Sequence, residues 1–481
     1  MDDRIWKPLL LIGIVFHILA AFLMPVGLDA HVHATYVTDE MDDGEAHLEW
    51  GKLRADSPDG SVPEEVSSDD KWFFWHAIME MWFSLFGASL TTLHIIGLIA
   101  GLGCLATIFL VTKSLFGPEQ ALRLTALASI YPPLIRAAGR FYQEGPILIL
   151  VTLSVWAVIK AMQSERKLNS WWLIPFICAI IILSFKGMPL WYVLPAGLVL
   201  LIWSKSEIRM LAFIAVAIAV ELVIVWRNGI SLTEPDLVPA LLSSFIGAFI
   251  FVYCAMLVFE RIDGEETELS RMLENGTRLV SAGLIGWIAA LWVTEAHALD
   301  MGFFDIILDY RNNPRYLSLV FIPLWYARLT RTGATGIGMQ SDRKKLVAGA
   351  IILMILINIA VLSATGTRGS EIIGSELAEQ ANEEDDILFI SDSSLAMHRM
   401  YSIRLTFDPD NDGENLAYWR TSDSGWQDEL AECSEFSDVD WIVNFPNDSL
   451  ELPPGWIEVE LDAEADDWAL YKWGGEDARC S

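Results

Sequence analysis

The chain has 481 residues, 53% of them hydrophobic, with 20 Trp, 23 Phe and a mean hydropathy of +0.39. That balance excludes a soluble globular protein, and many apolar runs reach the roughly 17–25 residues that cross about 30 Å of hydrocarbon. The net charge of −31 excludes nucleic acid as a partner, because phosphate backbones are bound by Lys and Arg patches.

Eleven membrane spans are predicted, at residues 6–24, 92–111, 122–138, 146–161, 171–185, 190–203, 211–226, 238–259, 279–293, 316–329 and 347–362. The first has no small-residue cleavage site after it and is followed by more spans, so it reads as an anchor rather than a cleaved signal. Residues 72–86 are amphipathic and read as an interfacial segment anchored by Trp72, Trp75 and Trp82. Cys104, Cys178 and Cys254 fall inside spans, where a small buried thiol is the ordinary reading.

Lys and Arg placement orients the spans. A cytoplasmic N-terminus puts the basic connections 113–123, 160–167, 205–209, 261–278 and 328–345 inside, which satisfies the positive-inside rule. An odd number of spans then places the C-terminal tail outside the cytoplasm. The acidity concentrates there: from Glu371 onward 29 acidic residues face 5 basic ones. Such a surface stays hydrated and repels itself, which concerns solubility rather than chemistry.

The expected organisation is thus a multi-pass α-helical membrane domain, residues 1–366, with a first external loop at about 25–71. A small extracytoplasmic α/β domain, residues 367–481, follows. In that tail "DDILFISD", "DWIVNF", "WIEVEL" and "WALYKW" read as short strands, with "SSLAMHRMY" as a helix. Asn447-Asp448-Ser449 is an external glycosylation sequon, and a Cys433–Cys480 bridge stays open. No internal repeat is visible, which counts against a transporter built from two matching halves.

Four external places hold polar residues that a membrane makes costly. "GLDAHVHATYV" brings Asp29, His31 and His33 to the end of the first span. A strand would put all three on one face and a helix only Asp29 and His33. Metal ligation, substrate contact and plain interfacial polarity all stay open, and with them a divalent metal as cofactor. "AAGRFYQEGPILIL" sets Arg140 four residues before Glu144. A carboxylate there suits a helix N-terminus, but the dipole does not explain the accompanying arginine. Lys186 interrupts the apolar "LSFKGMPLWYV" on the side where topology does not call for a cation. The loop "TEAHALDMGFFDIILDYRNNPRY" carries Arg311 and Arg315, read either as solvated or as an anion clamp. Together they suggest a cavity for an anionic lipid headgroup.

Three of these segments resemble the GT-C superfold of membrane glycosyltransferases, in particular the dolichyl-phosphate-mannose protein mannosyltransferase and aminoarabinose-transferase branch. "LDAHVHATY" is similar to the Asp-Glu-x-x-Tyr-type motif of the first external loop, with Asp29 at the Asp position. The stretch from "LHIIGLIAG" through "SLFG" to "RFYQEGPILIL" is similar to the next three spans. "LSFKGMPLWYVLP" is similar to the Lys-Gly-Pro segment. Ala30 departs from the pattern where Glu is common, and Met188 stands between the Gly and the Pro.

The resemblance implies an inverting transfer of a hexosyl or pentosyl group from a polyprenyl-phosphate donor to a protein, lipid or glycan acceptor. Asp29 would be the base and Glu144 would position acceptor or sugar. Lys186 and Arg140 would hold the lipid phosphate, and Arg311 joins them through the anion-clamp reading of its loop rather than through the resemblance. His31 and His33 lie outside the general motif. The alternative, a secondary transporter or lipid flippase, expects ionisable residues along several spans rather than at one face.

Overall fold

The computed structural model describes residues 5–43, 72–165, 169–188, 209–227, 229–250, 264–298, 301–308, 314–334, 344–363, 367–382, 385–393, 396–409, 417–432, 436, 439–446, 450–461, 465 and 467–475. Arg311, the predicted span 190–203, Cys254, Cys433, Cys480 and the Asn447 sequon lie outside the described residues. The chain forms two compact units, Met1–Leu23 with Gly97–Ala364 and Met24–Ile96 with Thr365–Ser481.

The first unit is helical. It holds α1 (Trp6–Leu23), most of α4 (Leu90–Phe116), α5 (Pro118–Ser129), α6 (Pro132–Gly139), α7 (Glu144–Gln163) and α8 (Leu173–Phe185). These are followed by α9 (Arg209–Arg227), α10 (Leu237–Ala248), α11 (Glu268–Ala298), α12 (Phe303–Leu308), α13 (Pro314–Leu329) and α14 (Lys344–Ser363). Among the described residues, α1, α4, α7 and residues Glu268–Thr294 of α11 are long and apolar enough to cross a bilayer. Leu11, Phe22 and Leu110 stay exposed on these helices, as side chains facing lipid do. One buried polar side chain, Asn358, is satisfied by donating to the Ile130 carbonyl at 2.9 Å.

The predicted span 122–138 is not one helix. Pro132 and Pro133 divide it into α5 and α6, since proline lacks an N–H and disfavours helix in the residue before it. Both pieces are largely buried and pack on α1 rather than facing lipid. Gly139 makes the crossing possible: a Cβ there would lie 2.8 Å from the Ala20 carbonyl oxygen.

The second unit holds α2 (Leu28–Asp43), α3 (Phe73–Phe86), α15 (Gly369–Gln380), α16 (Ala396–Phe407) and α17 (Trp426–Glu432) around a five-stranded sheet. The strands are β1 (Asp386–Ile390), β2 (Ala417–Arg420), β3 (Val439–Asn444), β4 (Trp456–Val459) and β5 (Ala469–Trp473), in the order β2-β1-β3-β5-β4. β1 runs parallel to β2 and β3, and β5 antiparallel to β3 and β4. Alternate residues feed two cores. Ile387, Phe389 and Trp441 meet α15 and α16, while Leu388, Ile390 and Ile442 meet Trp426 and Leu430 of α17. Val32 of α2 packs on the first of these cores, and α2 runs against α16.

Gly139→Leu should lower the stability of the detergent-purified protein by about 1–3 kcal/mol, the usual cost of overpacking. The thermal unfolding midpoint measures it, and an unchanged midpoint would show that α1 and α6 do not meet there.

Candidate functional site

In the first unit the sequence's polar residues collect at helix ends. α6 closes with a Schellman motif: the Tyr142 N–H donates to the Ala137 carbonyl at 2.8 Å and the Phe141 N–H to Ala138 at 3.2 Å. The left-handed residue that this motif needs is usually glycine; here it is Phe141, at φ 53° and buried. The turn delivers Glu144 to the first turn of α7. α8 closes the same way, with Gly187 at φ 59°, the Gly187 N–H on Ser184 and the Met188 N–H on Leu183 at 2.8 Å. Lys186 is its C-cap. Met188, the departure from the Lys-Gly-Pro pattern, supplies an N–H that a proline at that place could not.

The two caps meet. Lys186 Nζ donates to Glu144 Oε1 at 2.7 Å, and Arg315 Nε, from the first turn of α13, lies 3.8 Å from Glu144 Oε2. The Glu144 side chain is 1% exposed, against 22% for Lys186 and 12% for Arg315. Two aromatic rings complete the cluster. The Arg315 guanidinium stacks 3.8 Å from the Tyr142 ring centre and donates to the Tyr316 hydroxyl at 3.1 Å, while Lys186 Nζ is 5.2 Å from the Tyr316 ring centre. Burial alone would lower the Lys186 pKa, but Glu144 and Tyr316 outweigh it and hold the ammonium above the usual lysine value.

Arg140 does not pair with Glu144. The left-handed Phe141 breaks the helix between them, so their four-residue spacing is not one helical turn. Arg140 and Arg315 instead lie within electrostatic reach of Arg136. Among the described residues, Lys186 and Arg315 meet the Glu144 carboxylate, and Arg136 and Arg140 bring further positive charge close by. Cationic donors gathered in this way favour an anion able to accept several hydrogen bonds. Arg315 was half visible in the sequence beside Arg311. Tyr142, Tyr316 and Arg136 carried no signal there, because only the fold brings them together.

In the second unit "LDAHVHATY" is helical, so Asp29 and His33 share a face of α2 and His31 turns elsewhere. His31 Nδ1 donates to the Gly27 carbonyl at 3.0 Å, and its Nε2 lies 3.4 Å from Glu371 Oε1. His33 Nδ1 is 3.0 Å from His76 Nε2, with Trp72 edge-on at 5.3 Å. Burial pushes the His76 imidazole down to about 4, which keeps that ring neutral near pH 7. The two imidazoles proposed as metal ligands therefore take different partners. Among the described residues no three His, Cys, Asp or Glu side chains are grouped as a cation would need.

Asp29 stands in the first turn of α2, where a carboxylate also suits the helix dipole. His398 of α16 lies within electrostatic reach of it. Burial pushes that imidazole below the ordinary histidine value, and the nearby Asp29 pulls it partly back. The sequence marked this stretch only as a helix.

Residues 70–227 match the family described as dolichyl-phosphate-mannose-protein mannosyltransferase. That stretch includes Arg140, Glu144 and Lys186 and leaves out Asp29 and Arg315. Among solved structures the chain is similar to ArnT from Cupriavidus metallidurans bound to undecaprenyl phosphate, with a TM-score of 0.51 and 11% identity over 100% of both chains. It is also similar to the arabinofuranosyltransferase AftD from Mycobacteria, with a TM-score of 0.42 and 11% identity over 100% of this chain and 42% of that one. At such identity the ArnT likeness speaks for the fold. No curated protein matches the sequence.

Glu144→Ala should cost about 3 kcal/mol, because it leaves Lys186 and Arg315 facing each other without their carboxylate. Adding Lys186→Ala should recover part of the loss, and a double-mutant cycle on thermal stability reads the coupling. Strictly additive losses would show that the pair does not interact.

Proposed function

We propose that this chain, which carries the GT-C superfold, is a membrane glycosyltransferase that uses a polyprenyl-phosphate-linked sugar as donor. The observation that carries the reading is the Glu144–Lys186–Arg315 cluster with its two tyrosines. It lies at the ends of apolar helices, and Glu144 and Lys186 fall in the stretch matched by the mannosyltransferase family. A lipid-linked phosphate has the chemistry that such a site favours: negative charge, several acceptor oxygens and an apolar tail. The ArnT structure supports the same ligand class, since it holds undecaprenyl phosphate.

The chemistry needs a base and a stabilised leaving group. The acceptor hydroxyl gives its proton to Asp29 as its oxygen bonds to the anomeric carbon. The bond from that carbon to the phosphate oxygen breaks, with inversion, and the departing polyprenyl phosphate gains charge. Lys186 and Arg315 hold that charge, with Arg140 adding to the local field, and Glu144 holds the two cations in place. Sugars of the hexosyl or pentosyl class, mannose among them, and protein, lipid or glycan acceptors fit this scheme equally. Dolichyl phosphate fits as the carrier. The positive-inside pattern supports a cytoplasmic N-terminus and transfer on the extracytoplasmic face. The divergence of His31 and His33 supports a reaction without a metal between them.

Release of polyprenyl phosphate from a panel of polyprenyl-phosphate sugars, with membrane glycans and proteins as acceptors, tests the reading. Asp29→Asn should lower kcat by about 10²–10⁴-fold with little change in donor KM. Arg315→Ala should raise donor KM by about tenfold or more. A chelator should leave the rate unchanged. Release that is indifferent to Asp29, or no release with any donor, would contradict the reading and turn attention to a transporter or flippase.

A further inference from the structure

The turn between α1 and α2 is held by residues more than 300 positions away. Arg368 Nη2 donates to the Val26 carbonyl at 2.9 Å, and Arg368 Nε lies 4.0 Å from Glu371 Oε1. That same carboxylate oxygen is 3.4 Å from His31 Nε2, and both side chains are buried. The Gly27 carbonyl in turn accepts from the Ala30 N–H at 2.9 Å, the His31 N–H at 3.2 Å and His31 Nδ1 at 3.0 Å. Asp29 therefore sits inside a turn fixed on both sides, at Val26 and Gly27 before it and at His31 after it.

The anchor is itself rigid. Ser370 Oγ bonds Ser402 Oγ at 2.8 Å between α15 and α16, and a Cβ on Gly374 would lie 2.7 Å from the Ile403 carbonyl. Val32, one turn along α2, packs on the core that includes Ile373, Leu377 and Met400. Glu371 stands in the first turn of α15, where the helix dipole would welcome any carboxylate. The dipole does not account for a buried carboxylate directed at the imidazole two residues after Asp29, nor for the arginine on Val26.

We propose that Arg368 and Glu371 are positioning residues for Asp29: they clasp the α1–α2 turn and so set where its carboxylate stands. The proposal rests on the assignment of Asp29 as the base. It gives the tail a role in the transfer step itself, through two named side chains. His398 of α16, within electrostatic reach of Asp29, belongs to the same arrangement.

The test uses the full chain in lipid nanodiscs, comparing Glu371→Ala and Arg368→Ala with the conservative Glu371→Gln and Arg368→Lys. Both Ala variants should lose at least about tenfold in kcat with donor KM unchanged, and the conservative variants should restore most of it. Hydrogen exchange at residues 26–35 should rise by about tenfold or more in the Ala variants while β1 and β3 stay protected. Unchanged kcat in the Ala variants would overturn the proposal, as would a rate loss that merely follows the fraction unfolded. A wild type that releases no polyprenyl phosphate from any donor would instead overturn Asp29 as base. Exchange then decides the clasp alone, which falls if Glu371→Ala exchanges like wild type.

Discussion

A carboxylate buried to 1% exposure between a lysine and an arginine is the constraint around which the first unit is arranged. Taking these charges out of water costs several kcal/mol per ion, and the cost is offset only where the partners and hydrogen bonds are all in place. Here they are supplied by three separate helices, at the start of α7, the end of α8 and the start of α13. Each helix must therefore end at a set residue, and the chain uses its strongest stop signals to that purpose. Gly187 takes the left-handed position after Lys186. Phe141 takes the corresponding position before Glu144, against its own steric preference, and is held there by burial.

The same placement gathers cationic donors: Lys186 and Arg315 meet Glu144 with Arg136 and Arg140 close by, an arrangement attractive to an anion. Tyr142 and Tyr316 extend it, because a guanidinium stacked on a ring keeps its N–H edges available for ligands. A lipid phosphate would meet donors that are already oriented, without first having to order flexible side chains.

Much of this was legible as polar residues in apolar surroundings. Glu144, Lys186 and Asp29 each interrupt a hydrophobic run, and a membrane makes such interruptions expensive. Their partners were not legible. The sequence suggests Arg140 for Glu144 on spacing alone, but one left-handed residue removes the helical register on which that spacing depends. The histidines beside Asp29 read as a set only if the stretch were extended; as a helix it separates His31 from His33. The paired prolines at 132 and 133 were visible, yet hydropathy averaged over residues 122–138 hid the break they impose. In the tail, β1, β3, β4 and β5 fall on the four stretches that read as strands. β2 is short, and its "AYWR" has no alternation long enough to detect. The contacts of Arg368 and Glu371 with residues 26–31 lay beyond any local pattern, since they join segments more than 300 residues apart.

The most direct measurement is equilibrium binding of a polyprenyl phosphate to the purified protein, set beside the same prenol without phosphate and a Lys186→Gln/Arg315→Gln variant. Binding that needs the phosphate and weakens by about 100-fold or more in the variant is the predicted result, given two charge-assisted contacts at about 1.5–3 kcal/mol each. Equal binding of prenol and prenyl phosphate, or binding indifferent to the two substitutions, would contradict a lipid-phosphate site at Glu144.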